Sequence, residues 1–245
     1  MTVHVLSVGT TEPRNVAGVG RDLIVGTELG CSVATAVAAV SAQDDAGVHA
    51  LHVVPPEIFR EEIGRFEPRV VRAGALGSAE NVAVFAEWLR RRSIPGVVDP
   101  VMRASAGGAL TSESAIDAIV ERVAVLPTVV LTPNLPEAAV LLGRRQIDDA
   151  ATAAAELQAL GARAVLLKGG HASGDPSDVL ATAHGVEVFT APRIDATLRG
   201  SGCMLAMAVA CGLARNLTLR DAVVMAREYV RAKMHAAVQR NGADQ

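Results

Sequence analysis

Aromatic residues are nearly absent from this 245-residue chain, which has one Trp, one Tyr and four Phe. A core without large rings must be filled by Ala, Val, Leu and Ile. Half of the residues are hydrophobic, enough to fill a substantial one. Cysteine is scarce as well. Cys31, Cys203 and Cys211 are too few for a disulfide framework and lack metal-site spacing. There is no excess of basic charge: the formal net charge of −3 removes the electrostatic case for a nucleic-acid partner. The one basic cluster, Arg90-Arg91-Arg92 beside Trp88, reads as the solvated end of a helix, where positive charge suits the dipole. Long apolar runs are missing too. Charges, Gly and Pro interrupt every stretch short of membrane-spanning length, and MTVHVLSVGT lacks the basic flank of a signal peptide. The expectation is a cytoplasmic, reduced protein with no membrane partner.

What is present is an alternation. Short apolar, β-branched runs predict strands over 4–8, 32–40, 70–73, 96–99, 128–132, 164–168, 178–181 and 186–190. Between them, helical period and Ala-rich composition predict helices over 20–29, 56–65, 79–92, 112–123, 149–160, 201–214 and 218–238. Strand and helix in turn argue an α/β fold with a mostly parallel central sheet covered on both faces. No low-complexity linker or fixed-period repeat divides the chain, so one domain over 1–245 is expected. In open sheets of this kind ligands bind beyond the carboxyl ends of the strands. Polar signatures that directly follow a strand are therefore the candidate sites.

Arg199-Gly200-Ser201-Gly202-Cys203 opens an Ala-rich helix. Two glycines around a serine at a helix start present unpaired N–H groups at its positive end, an anion site of the sort phosphoryl transfer needs. Cys203 falls in the first turn, where the dipole favours a thiolate that can take a proton from a substrate hydroxyl. Taken alone, such a segment is more often a Gly-rich helix start with a packed cysteine. Lys168-Gly169-Gly170-His171 ends a strand, and its lysine can reach phosphate oxygens, although a simple β-turn carries the same residues. Thr132-Pro133-Asn134-Leu135-Pro136-Glu137 has capping-box spacing, and Asn134 and Glu137 are also oxygen ligands suited to Mg2+ and its waters. Asp99, fixed by Pro100 at a strand end, is a candidate metal-region acid or an ordinary turn aspartate. Gln43 ends a strand with an amide able both to donate and to accept from a heterocycle. Asp22, His52, His171 and Cys31 complete the candidates, with core or surface roles expected for His52 and Cys31.

Taken together, AQ at 42–43, DPVM at 99–102, TPNLPEA at 132–138, KGGH at 168–171 and GSGC at 200–203 resemble the hydroxymethylpyrimidine and phosphomethylpyrimidine kinases of thiamine biosynthesis, and more loosely pyridoxal kinases and ribokinases. The match runs nearly from end to end. A cysteine in the Gly-rich loop points away from sugar kinases, which typically carry aspartate there. The resemblance implies a ribokinase-like three-layer α/β/α sandwich, commonly a homodimer, that uses ATP and Mg2+ to phosphorylate 4-amino-5-hydroxymethyl-2-methylpyrimidine or its monophosphate. It would place Gly200, Ser201, Gly202 and Cys203 at the anion hole, with Cys203 as base. Lys168, Asn134 and Gly169 would meet the nucleotide, and Asp99 and Glu137 the metal. Gln43 would face the pyrimidine, with Asp22 near the phosphates. The chain departs from the family pattern at TTEPRNVAG, usually SDPSGGAG-like, at Arg72 for lysine, Ala75 for methionine, Arg199 for histidine and Met204 for threonine. Arg72 and Arg199 would favour an already phosphorylated substrate, since guanidinium pairs well with phosphate. Vitamin B6 presents a similar hydroxymethyl heterocycle, so pyridoxal or pyridoxamine phosphorylation is an alternative. A non-catalytic pyrimidine sensor is another.

Overall fold

A computed structural model describes residues 2–169, 175–196 and 198–243. Gly170 and His171, both part of the KGGH signature, lie outside the described residues. Along the chain the elements run β1 (Thr2–Thr11), α1 (Gly18–Glu28), β2 (Val33–Gln43), β3 (Val48–Val53), α2 (Pro56–Gly64), β4 (Glu67–Ala73), α3 (Ala79–Arg92), β5 (Gly96–Val98) and α4 (Glu113–Arg122). They continue with β6 (Val129–Leu131), α5 (Leu135–Leu141), α6 (Ala150–Ala159), β7 (Ala164–Leu167), β8 (Ser177–Thr182), β9 (Gly185–Thr190), α7 (Ser201–Ala214) and α8 (Leu219–Ala243). All nine strands join one sheet in the order β3-β2-β1-β4-β5-β6-β7-β8-β9. The six from β2 to β7 in that order pair parallel, and β3, β8 and β9 add antiparallel edges.

The three layers follow from the apolar strands. Side chains alternate faces along a strand, so a run that is apolar at every position needs cover on both sides. Val5, Val70, Val97, Val130 and Leu166 point to one core, which α1, α7 and α8 close. Their neighbours Leu6, Val71, Val98, Leu131 and Leu167 point to the other, closed by α2 to α6. Each such side chain contributes about 1.5–3 kcal/mol when fully buried. Helix α7 is apolar nearly all round and is wedged between the sheet and α8, which is why SGCMLAMAVACGLA shows no polar face.

Arg90, Arg91 and Arg92 fall in the last turn of α3, as expected, where Arg91 pairs with Glu87 and Arg92 lies over the Trp88 ring. Strand β3 is absent from the sequence expectation. It is an edge strand entered through the turn Asp44–Gly47, and its alternation is blurred by His49 and His52. Here the DDAG turn, rather than the strand, carried the signal for a hairpin.

Strand β1 lies between β2 and β4, so the chain first goes to one side of it through β2 and β3 and then returns to the other side at β4. That is a topological switch point, and in sheets of this kind ligands bind beyond the carboxyl ends of the strands there.

Candidate active site

The amino end of α7 sits against the loop that follows β1, at this switch point. Gly200 takes φ +75°, and a Cβ there would lie 2.2 Å from the Val16 carbonyl oxygen, so only glycine lets the loop after β1 close on the helix. No side chain caps α7, which leaves its first-turn N–H groups directed past the helix end. At Gly202 the missing side chain makes room for Lys168: a Cβ would stand 3.2 Å from Lys168 Nζ and 4.0 Å from Asp99 Oδ2. The Gly-rich loop, the lysine after β7 and the aspartate after β5 are thus in one place.

The Cys203 thiol accepts from the Gly18 N–H and pairs with the Arg72 guanidinium. Its pKa is nonetheless raised, first by burial and then by the charges of Asp99 and Asp22, against the lowering by Arg72. The expectation that the helix dipole keeps a thiolate here is therefore corrected. In the free protein desolvation outweighs dipole and guanidinium, and Cys203 is a thiol at neutral pH.

Lys168 Nζ lies 2.5 Å from Asp99 Oδ1 and 4.0 Å from Glu137 Oε2. Burial lowers the lysine pKa, but the two carboxylates outweigh it and the net shift is upward, so the ammonium is kept. Glu137 is pushed up to about 7, chiefly by burial, although Lys168 opposes this. The cap reading of Asn134 is realised: its Oδ1 accepts from Glu137 N at 2.8 Å, while Glu137 Oε2 accepts from Asn134 N at 2.8 Å. The cap thus occupies Asn134 Oδ1 and Glu137 Oε2 alike and leaves Asn134 Nδ2 and Glu137 Oε1 outside it. Gly169 is engaged otherwise than expected of a nucleotide contact. Its N–H is given to Asp178 Oδ1 at 3.0 Å, and a Cβ would meet the Ser177 carbonyl at 2.0 Å, so the glycine serves chain packing.

Arg72 and Asp22 are placed otherwise than expected. Both are fully buried, with Arg72 Nη1 2.8 Å from Asp22 Oδ2 and Arg72 Nη2 3.3 Å from Asp99 Oδ2. Ser7 Oγ adds a hydrogen bond to Asp22 at 2.6 Å. A guanidinium enclosed between two carboxylates is not available to a substrate phosphate, so Arg72 and Asp22 are corrected from substrate ligands to a buried support beneath Cys203. Burial pushes Asp22 up to about 6 despite the guanidinium.

Gln43 ends β2, and Arg199 directly precedes Gly200 at the start of α7. Gln43 is buried at the end of β2 with Oε1 unpartnered, which suits an amide that reads a polar ring. Arg199 pairs with Asp45 and with the Asp44 carbonyl in the turn after β2. Sequence reasoning missed three residues here. The Glu12 carboxylate, nearly buried, accepts from the N–H groups of Arg14, Val16 and Ala17 and so shapes the loop after β1. Arg14 joins Arg199 on Asp45. An acid directly after an apolar strand was the available signal for Glu12; for Arg14 and Asp45 there was none. Cys31 is buried against α7 and His52 is exposed, the structural roles expected of them.

Two carboxylates after neighbouring strands supply hard oxygen ligands, but among the described residues no group of three His, Cys, Asp or Glu converges as a metal cage. This donor set fits an ion that keeps its waters and takes other ligands from nucleotide phosphates, the habit of Mg2+.

A helix-end anion hole, a charged lysine between acids and a thiol at the switch point of a parallel sheet define a phosphoryl-transfer enzyme of the ribokinase-like class. The family model described as phosphomethylpyrimidine kinase matches residues 13–244, and the chain belongs to that family. It is 38% identical to a hydroxymethylpyrimidine/phosphomethylpyrimidine kinase of Streptomyces coelicolor, over 97% of this chain and 91% of the relative. Among solved structures, the phosphomethylpyrimidine kinase of Clostridium difficile superposes with a TM-score of 0.82 at 26% identity, covering 94% of this chain and 99% of that one. An ADP complex of Bacillus subtilis pyridoxal kinase gives the same TM-score and identity over 92% and 90%.

Proposed function

We propose that this protein transfers the γ-phosphoryl group of ATP to hydroxymethylpyrimidine, to its monophosphate, or to both, within thiamine biosynthesis. The single observation that carries the reading is the meeting of Lys168, Asp99 and Cys203 at the amino end of α7. Gln43 holds the heterocycle through the unpartnered amide oxygen's end of its side chain. The N–H groups of the Gly200–Cys203 turn face the transferring phosphoryl group, and Lys168 offsets the charge that grows on its oxygens. The acceptor oxygen attacks the γ-phosphorus as the bond to the β-phosphate oxygen breaks, and ADP leaves. For an alcohol acceptor the hydroxyl proton passes to Cys203 Sγ in molecules whose thiol has first released its own proton to solvent, with Arg72 and the Gly18 N–H holding that thiolate. Asp99 and Glu137 are the residues that would hold Mg2+, which would supply further neutralisation of phosphate charge. We also read the chain as one kinase domain working in the cytoplasm. The continuous sheet supports the first statement and the free cysteines the second.

The test is ATP consumption with Mg2+, offering hydroxymethylpyrimidine, its monophosphate and pyridoxal separately. Turnover of either pyrimidine is expected. The structural likeness to a pyridoxal kinase supports a second reading, and turnover of pyridoxal alone would move the protein there. No turnover of any of the three by folded protein would overturn both and leave a binding protein.

A further inference from the structure

We propose that Arg14 and Arg199 form the seat for the phosphate group of a phosphorylated acceptor, and that Asp45 fills this seat while it waits. The inference rests on the kinase reading above and names the acceptor class: a heterocyclic phosphomonoester.

Arg14 grips Asp45 with two parallel bonds, Nη1 to Oδ2 at 3.0 Å and Nη2 to Oδ1 at 2.8 Å. Arg199 joins on the same Oδ1 and also donates to the Asp44 carbonyl oxygen at 3.4 Å. Two guanidiniums thus converge on one carboxylate. Glu12 and Asp44 also act on Arg14 through their charge, Glu12 while accepting from three backbone N–H groups and Asp44 beside His49 at 2.9 Å, so what the cluster offers an anion is two converging forks rather than an excess of positive charge. Asp45 is drawn down to about 2 by Arg14 first and Arg199 second, so it is fully charged at any working pH.

The pair is placed where an acceptor would pass. Arg199 directly precedes Gly200, and Arg14 lies in the loop whose Val16 carbonyl packs on Gly200. Asp45 is two residues beyond Gln43. The arginine pair therefore bridges the residue that faces the heterocycle and the loop that faces the transferring phosphoryl group. An acceptor held by Gln43 with its phosphate on Arg14 and Arg199 presents that phosphate toward the amino end of α7.

The occupant of the seat is exposed. The Asp45 side chain is 77% exposed, against 41% for Arg14 and 24% for Arg199. An exposed carboxylate on a tight turn contributes little through its ion pairs and can swing into water at small cost. A phosphate dianion offers two charges and three acceptor oxygens, and it can engage both guanidinium forks at once. The acceptor phosphate wins that exchange, and a neutral alcohol does not.

The experiment uses the full chain, with Arg14→Gln, Arg199→Gln, the double variant and Asp45→Asn. It measures KM for the monophosphate and for the free alcohol at saturating MgATP, and binding of the monophosphate by calorimetry. Loss of the arginines should raise the ratio of monophosphate KM to alcohol KM by about tenfold or more, the worth of a charge-assisted bidentate pair. Asp45→Asn removes the competitor while keeping both arginines, so it should lower the monophosphate KM. Equal changes in both KM values, or unchanged calorimetric affinity in the double variant, would overturn the seat while leaving the kinase reading intact. Wild-type protein that binds the monophosphate through the arginines without any turnover would overturn the kinase reading and keep the seat.

Discussion

Arg72 Nη1 lies 2.8 Å from Asp22 Oδ2, and neither side chain has any exposed surface. Its other nitrogen, 3.3 Å from Asp99, ties the floor of the site to a strand end that faces phosphate. A buried ion pair contributes little against an apolar replacement of both partners, but loss of one partner leaves an uncompensated charge. Arg72→Met should therefore destabilise the protein by about 3–5 kcal/mol. Adding Asp22→Asn to it should recover part of the loss. Urea unfolding of the two variants and the parent measures this, and a loss under about 1 kcal/mol in Arg72→Met would contradict the account.

The same region sets a pH dependence whose sign runs against habit. Asp22 is raised to about 6 and Glu137 to about 7, both mainly by burial. Unfolded carboxyls titrate near about 4. Between these values the folded chain keeps protons that the unfolded chain has released, so these two groups favour folding fully below about pH 4 and lose that contribution as pH rises through 6 and 7. Glu137→Gln cannot titrate, yet its amide oxygen can still accept from the Asn134 N–H. Its unfolding free energy should fall less steeply than that of the parent between pH 6 and 7. Denaturant unfolding in metal-free buffer at several pH values tests this, and parallel slopes would refute it.

Much of the fold was legible because parallel strands buried on both faces read as unbroken apolar runs, and the Ala-rich segments between them had few alternatives to helix. The switch point was not legible, since strand order is decided by crossovers that leave no local pattern. For the site, KGGH and DPVM were found through their place after strands and GSGC through its place at a helix start, and the structure gathers Gly202, Cys203, Lys168 and Asp99 within one cluster. Arg72 was misjudged because a strand arginine looks alike whether it faces solvent or a carboxylate from α1. Asn134 shows the opposite limit. One oxygen can serve a cap or a ligand, and only the distances reveal that the cap holds it. Arg14 and Asp45 come from loops 31 residues apart, and no spacing rule joins such a pair.

The two acceptors make different demands on Cys203. An alcohol must lose a proton as it attacks phosphorus, whereas a phosphomonoester dianion attacks through an oxygen that carries none. Cys203→Ala should therefore cut kcat on hydroxymethylpyrimidine by about 10²–10⁴, the usual worth of a positioned base, and reduce turnover of the monophosphate far less. Because burial raises the thiol pKa, wild-type turnover of the alcohol should also climb as pH moves above neutral. That limb should vanish in the variant and be weak with the monophosphate. Rate–pH profiles on both acceptors separate the effects. Equal losses on the two would assign Cys203 to the shape of the anion hole, for then the missing group would matter to the phosphoryl group they share and not to the proton that only one of them carries.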